Sequence, residues 1–443
     1  MSIAITTVGL FTLLSIFLVF FIRKPKLFII LTALLMPIHA LYAMELGSTF
    51  IRPFLLATIL FILYFYQKYG VQNSNRFYYS LLFVITVVLI YVATPIFDIN
   101  SQVFDIRSSV SSVDSLYLSN FQNYSNPFQL AYLIYWFAFI LIFSTFLNRE
   151  KLQLFFYKAM VLSMYPVLVI GIFYIFNSTN YSEFSISNSI GSTSEVYFLN
   201  WGVGFLGIPR MFSLPGEPAN IALFLGIILG PIIQTIYTKS PIFFRHKSYE
   251  YFLLFLLIFS IILTQSTTGL LLLLLLLLLS MVINFNTSLR YFIVAISLLI
   301  LLIMILGGIN FQILFEKLID HSGSGMVRYI VNTHVLSIIK DNFLFGIGWG
   351  NTRSLAFNLY IFSGSGITGF SVFLLVVYSF LKKYSNEFIP LYLVHLRKGL
   401  SNIIIAILFL GFFAVSESIF VMPFFWVSLS ILSSCYYKKN GSR

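Results

Sequence analysis

The chain has 443 residues, 59% of them hydrophobic and only 9% charged, and a formal net charge of +12. That composition excludes a soluble globule and fits a polytopic membrane protein. The one cysteine, Cys435, excludes an internal disulfide and a cysteine-based metal site.

Apolar runs must reach roughly 17–25 residues to span a hydrocarbon core of about 30 Å. Thirteen runs qualify, at approximately 3–22, 27–45, 53–68, 77–97, 127–147, 153–176, 218–238, 249–264, 268–285, 291–307, 362–381, 399–415 and 420–436. The first is expected to stay in place as a helix: Met1 to Phe21 has no basic residues, and Arg23, Lys24 and Lys26 follow it. The Leu-rich stretch 270–279 has no periodicity and reads as lipid-facing by length alone.

Basic residues set the expected orientation. Nineteen of the 26 Lys and Arg fall in one set of connections and the C-terminal tail, with three acids: Glu150, Glu250 and Glu387. The opposite connections hold the other seven basic residues and eleven acids. The positive excess therefore reads as a cytoplasmic face, which argues against nucleic acid as a partner. The N-terminus is expected outside and the C-terminus inside. The fold expected is all-α and polytopic, one integral membrane domain over 1–443 with about 13 transmembrane helices (12–14). Three long extracytoplasmic loops, at about 98–126, 177–217 and 308–361, are expected to carry short amphipathic helices and the function. The cytoplasmic connections are short and no GxxxxGK run occurs, so ATP is not expected as a direct fuel.

The second loop ends in Arg210-Met211-Phe212-Ser213-Leu214-Pro215-Gly216-Glu217-Pro218. Pro218 suits a first helical turn, and Glu217 just before it suits the helix dipole. The functional alternative makes Glu217 a base, with Arg210 as the cation beside it. In the turn Thr264-Gln265-Ser266-Thr267-Thr268-Gly269, the hydroxyls read as caps of the next helix.

The third loop carries most of the remaining candidates. Phe311, Leu314, Phe315 and Leu318 have helical spacing and predict a short helix on the membrane. From Met326 to Asp341, Val327, Val331, Val335 and Ile338 share one face, with Arg328 and Asn332 at its edge. The Ser322–Gly325 loop opening that helix, with Arg328 in the first turn, forms a candidate anion site; a surface helix whose Arg meets headgroups is the alternative. Lys340 and Arg353 are weaker cation candidates, and His321 and His334 are second choices as base. Two His thirteen residues apart, with no HExxH and no nearby Cys, make a poor metal pattern, and no metal or other cofactor is expected. In Gly346-Ile347-Gly348-Trp349-Gly350-Asn351 the aromatic suits the interface or stacking on sugar; Trp201, Tyr197 and Tyr360 share that reading. Glu417 is a further carboxylate between the last two helices.

From about residue 200 onward, these motifs together resemble the Wzy-type O-antigen and capsule repeat-unit polymerases, and more distantly the O-antigen ligases. The resemblance rests on RMFSLPGEPAN, LTQSTTG, the large loop with Arg328 and FLFGIGWGN, and SGSGITG entering a helix. It implies a metal-free glycosyltransferase of the bacterial cytoplasmic membrane, acting at the outer face on undecaprenyl-diphosphate-linked oligosaccharides. It also implies a chain-length regulator and a flippase as pathway partners. Arg210, Arg328, Lys340 and Arg353 would then hold diphosphate. Many relatives have Ser-Arg-Gly in the turn where this chain has Ser266-Thr267-Thr268-Gly269. The ligases carry His-Asn eleven residues before a GxxG; counting back from Gly366 gives Leu355, which argues for polymerase over ligase. The Arg-x10-Gly pattern of some polymerases is absent too, since Ile221 and Ile339 stand at those positions. The rival class is a flippase or carrier of lipid-linked sugar. Carriers place ionisable groups near mid-membrane, whereas the charges here crowd the loops.

Overall fold

The computed structural model describes residues 3–39, 41–46, 49–71, 75–93, 102–105, 117–120, 127–177, 184–187, 195–198, 206, 208–283, 324–349, 354, 356–381, 390–412, 415 and 422–434. Among them the helices are α1 (Thr7–Ile22), α2 (Pro25–Leu35), α3 (Pro53–Tyr69), α4 (Asn75–Ala93), α5 (Pro127–Arg149), α6 (Gln153–Asn177), α7 (Pro218–Ile233), α8 (Lys247–Leu263), α9 (Thr267–Ile283), α10 (Ser324–Asp341), α11 (Phe357–Leu381), α12 (Leu391–Leu410) and α13 (Pro423–Ser434). Five of the described helical stretches are long and apolar enough to cross a membrane; they lie in α5, α6, α11, α12 and the run from α7 to Tyr237. Phe11, Phe17, Phe21, Phe176 and Phe255 all point out of the bundle. Water would disfavour such a surface and lipid accepts it, as for a helical membrane protein.

The connections alternate between two ends of the bundle. At one end, strand β1 (Ile3–Ile5) pairs antiparallel with β2 (Met44–Leu46), which pairs with β3 (Thr49–Ile51). The backbone of His39 there donates to Leu214 O at 3.1 Å, and Met211 N to Leu263 O at 3.4 Å. At the other end, Tyr69 donates to Glu150 Oε1 at 2.5 Å, Gln153 Nε2 to Ser434 O at 3.0 Å, and Arg397 to Leu381 O at 3.3 Å. This second end carries the basic cluster Arg23, Lys24, Arg149, Lys151, Lys239 and Arg245, as the charge pattern predicts.

Several boundaries differ from the sequence expectation. The expected span 27–45 is not one helix. α2 stops at Leu35, and eleven residues reach only about 17 Å. Pro37 cannot donate a helical N–H, and a turn at Met36 and Pro37 ends the helix well before β2. α12 starts eight residues before the expected span, so Arg397 and Lys398 sit on the helix. Among the described residues the first two long loops carry strand pairs and not the expected amphipathic helices: β4 (Gln102–Asp105) with β5 (Tyr117–Asn120), and β6 (Phe184–Ser187) with β7 (Glu195–Phe198). Their aromatic and β-branched residues (Val103, Phe104, Tyr117, Phe184, Ile186, Val196, Tyr197 and Phe198) suit a ribbon. The expected span 291–307, the expected helix at 311–318, Glu417 and Cys435 lie outside the described residues.

α7 is the core of the bundle. It packs against α8, α9 and α12, with further contacts to α6 and α13. Fifteen of its sixteen residues are buried, as expected of a helix that is apolar all round. The sequence just before it occupies the adjoining space.

Candidate active site

The segment 208–217 folds back into the bundle as a non-helical wedge. Met211, Phe212 and Ser213 are buried. The Ser213 hydroxyl donates to Val167 O of α6 at 2.6 Å, a point about 15 Å short of the end of that helix. Met211 fills the space opposite Gly171. Irregular backbone at such depth requires internal hydrogen bonds. They come from Gly216 N to Ser213 O at 2.7 Å, His39 N to Leu214 O and Met211 N to Leu263 O.

Gln265 holds the entrance of the wedge. Its Nε2 donates to Ile208 O at 3.1 Å and Pro209 O at 3.3 Å, and its Oε1 accepts from Leu206 N at 2.9 Å. Gln265 itself has positive φ, at 49°. The α8–α9 turn, expected to be a cap, therefore has a second task. Ser266 does cap α9, accepting from Gly269 N at 3.4 Å, while Gln265 ties the turn to the wedge.

This arrangement brings Arg210 and Glu217 together. Burial draws the Arg210 guanidinium below the ordinary arginine value, and the charge of Glu217 opposes that shift. Arg210 Nε is buried and has no hydrogen-bond partner among the described residues. Glu217 is the N-cap residue of α7, is exposed, and makes no side-chain capping bond. Its backbone carbonyl accepts from Asn220 and Ile221. The pair thus sets a partly desolvated cation near an exposed carboxylate.

The third loop's helix is built as its pattern predicts. α10 docks on α11 through Val331, Val335 and Ile339, which cluster with Ala356 and Leu359. Arg328 lies in the first turns of α10. His334 is half-buried and Lys340 exposed on the same helix, and Ser354 donates to Asn332 Oδ1 at 3.3 Å. His321, Arg353 and Trp201 lie outside the described residues.

The two Gly-rich motifs of this region form one joint. α11 is interrupted at Gly366, whose φ of 62° and ψ of −172° are not helical. The 343–347 strip crosses this break: Ile347 N donates to Ser363 O and Ile367 N to Phe343 O, both at 2.9 Å. Gly346, with φ of 68°, meets the break from the other side. A Cβ on either glycine would overlap backbone atoms of the other strip, so glycine is required twice for one close crossing. Trp349 follows this joint and is 2% exposed, set edge-on to Tyr360 at 5.2 Å and to Phe83 at 6.3 Å. The expectation that Trp349 stacks on sugar is corrected by this placement: its indole fills space between α4 and α11.

Arg52 and His39 escaped the sequence reading, which placed His39 within a helix. Arg52 Nη1 donates to His39 Nδ1 at 2.8 Å, beside the wedge. The Pro53 that starts α3 and the Pro37 that ends the α2 region were the available signals.

Residues 252–371, from α8 into α11, match the family described as Wzy_C, O-Antigen ligase. That stretch includes the Gln265 turn, α10 and the glycine joint. Over that stretch, under a third of its length, the chain is similar to this family, which supports a place in the O-antigen polymerase/ligase superfamily. No curated protein matches the chain.

Proposed function

We propose that the protein is a membrane glycosyltransferase that joins lipid-diphosphate-linked oligosaccharide repeat units, with Arg210 and Glu217 at its reacting centre. The observation that carries this reading is the pairing of a half-buried guanidinium with an exposed carboxylate at the head of the buried helix α7. Gln265 holds that pair to the stretch with the family match.

The reaction breaks the bond between the anomeric carbon and the diphosphate oxygen. An acceptor hydroxyl oxygen forms the new bond to that carbon. The leaving electron pair goes to the diphosphate, where Arg210, with Arg328 on α10, stabilises the growing charge. The hydroxyl proton goes to Glu217, a base set beside the cation. Lys340, Arg353, His321 and His334 are the alternates for these two tasks. The reading takes the wedge end as the outer face, because the basic cluster is at the opposite end.

A ligase reading, with transfer to a lipid A-core acceptor, is favoured by the description of the matching family. Purified protein in lipid, given lipid-diphosphate-linked repeat units and EDTA, separates the two. A ladder of longer lipid-linked glycans is expected. Transfer only to added lipid A-core would replace the polymerase by the ligase. Neither product, with movement of intact substrate across the bilayer, would make the protein a carrier.

A further inference from the structure

A second pocket, apolar over most of its lining but with a few polar groups, lies beside the wedge and takes no part in the chemistry above. His39, Arg52, Phe54, Tyr132, Trp136 and Pro423 line most of it. Its few polar groups include several donors. Because guanidinium only donates, the contact of Arg52 Nη1 with His39 Nδ1 makes that nitrogen an acceptor and leaves the ring proton on Nε2. Trp136 is 2% exposed, and its Nε1, a donor only, is buried with no hydrogen-bond partner among the described residues. Such an orphaned donor is costly and calls for an acceptor. The indole is held in place by stacking on Trp426, with 5.6 Å between ring centroids and 9° between planes. No carboxylate lines the pocket. Arg52 remains partly exposed, so a ligand can reach it.

The surroundings point to a lipid as the carrier of that acceptor. Arg52 is the N-cap residue of α3. Along the same helix Ile59, Leu60 and Leu63 are exposed, a track for an apolar chain running away from the pocket. The pocket also touches the reacting segment through the backbone bond from His39 to Leu214, three residues before Glu217.

We propose that this pocket holds the phosphate group of a second membrane-anchored lipid, and that it places the acceptor chain of the reaction beside Glu217. The inference rests on the transferase reading, which requires two lipid-linked substrates at once. Arg52 acts on the reaction by binding and positioning. The guanidinium and the Trp136 N–H meet phosphate oxygens, while Phe54 and Pro423 keep water from the contact.

The test is equilibrium binding of radiolabelled undecaprenyl diphosphate to the full-length protein in detergent. Wild type is expected to hold two molecules, and Arg52→Gln and Arg210→Gln one each. Trp136→Phe keeps the ring stack and removes the donor; it is expected to weaken one of the two sites about fivefold, a typical effect of one lost hydrogen bond. Arg52→Lys, which keeps the charge, is expected to recover part of the binding, and thermal unfolding checks that every variant is folded. Excess phosphatidylglycerol distinguishes the source of the phosphate. If it displaces neither molecule, the isoprenoid is the ligand. If it displaces one from wild type and none from Arg52→Gln, the pocket holds an ordinary headgroup and the acceptor assignment is overturned. Equal stoichiometry and affinity in wild type, Arg52→Gln and Trp136→Phe overturns the pocket itself. A glycan ladder with unchanged binding in Arg52→Gln would sink this inference alone. Lost binding in a protein that makes no ladder would leave the pocket standing and remove the transferase.

Discussion

Two carboxylates at opposite ends of the bundle begin helices that pack on each other, and their surroundings differ. Glu250, in the first turn of α8, is 0% exposed. Its Oε1 accepts from the backbone N–H groups of Ile242, Phe243 and Phe244 at 2.8, 2.6 and 3.1 Å, and Lys247 Nζ lies 3.6 Å from Oε2. Glu217, at the start of α7, is exposed and leaves its own helix uncapped by its side chain. Glu250 is committed to closing a loop. Glu217 is exposed at its helix start and interacts electrostatically with Arg210. Position at a helix N-terminus is shared by both, so the dipole alone does not separate them; burial does, complete at Glu250 and slight at Glu217.

The largest expected effect breaks this contrast on the side of chemistry. Glu217→Gln should lower the polymerisation rate about a thousandfold, the scale of a lost general base, with unfolding temperature little changed. A variant that polymerises at the wild-type rate would return Glu217 to the role of a helix-dipole residue. Glu250→Ala should do the reverse, costing about 3 kcal/mol of stability by leaving three backbone donors unanswered. Thermal unfolding in detergent reads it, and an unshifted transition would mean that other groups close the 242–244 loop.

Gly366→Ala should cost roughly 2 kcal/mol, since both the positive φ and the crossing of Leu344 oppose a Cβ. Proteolysis of the 343–349 strip is expected to speed up with it; unchanged cleavage would show that the joint tolerates a shift. Gln265→Ala should be the mildest, costing about 1 kcal/mol. It should slow polymerisation several-fold by loosening the wedge, and an unaffected rate would uncouple the turn from the site.

The parts of the fold legible in the sequence are those with local causes. Apolar length places the helices, and the period of Val331, Val335 and Ile338 finds the buried face of α10. The segregation of Lys and Arg separates the two ends of the bundle. Of the candidate site, Arg210 and Glu217 could be picked out because both flank a proline-marked helix start. The glycine motifs were legible as motifs, but their meaning was not: Gly346 and Gly366 belong to one crossing made by segments twenty residues apart. Trp349 read as an interface aromatic because sequence carries no record of what covers a side chain. His39 was assigned to a helix because apolar length outweighed Pro37.

The amino-acid sequence by itself determined a multi-helix membrane chain with alternating connections, because burial in lipid depends on the composition of each run. Only the tertiary structure decided that 208–217 enters the bundle, that Gln265 holds it, and that Arg52 meets His39 next to Trp136. Those pairings join residues from 13 to 175 positions apart. Their energy comes from desolvation and from donors finding acceptors, and both are set when helices pack against each other.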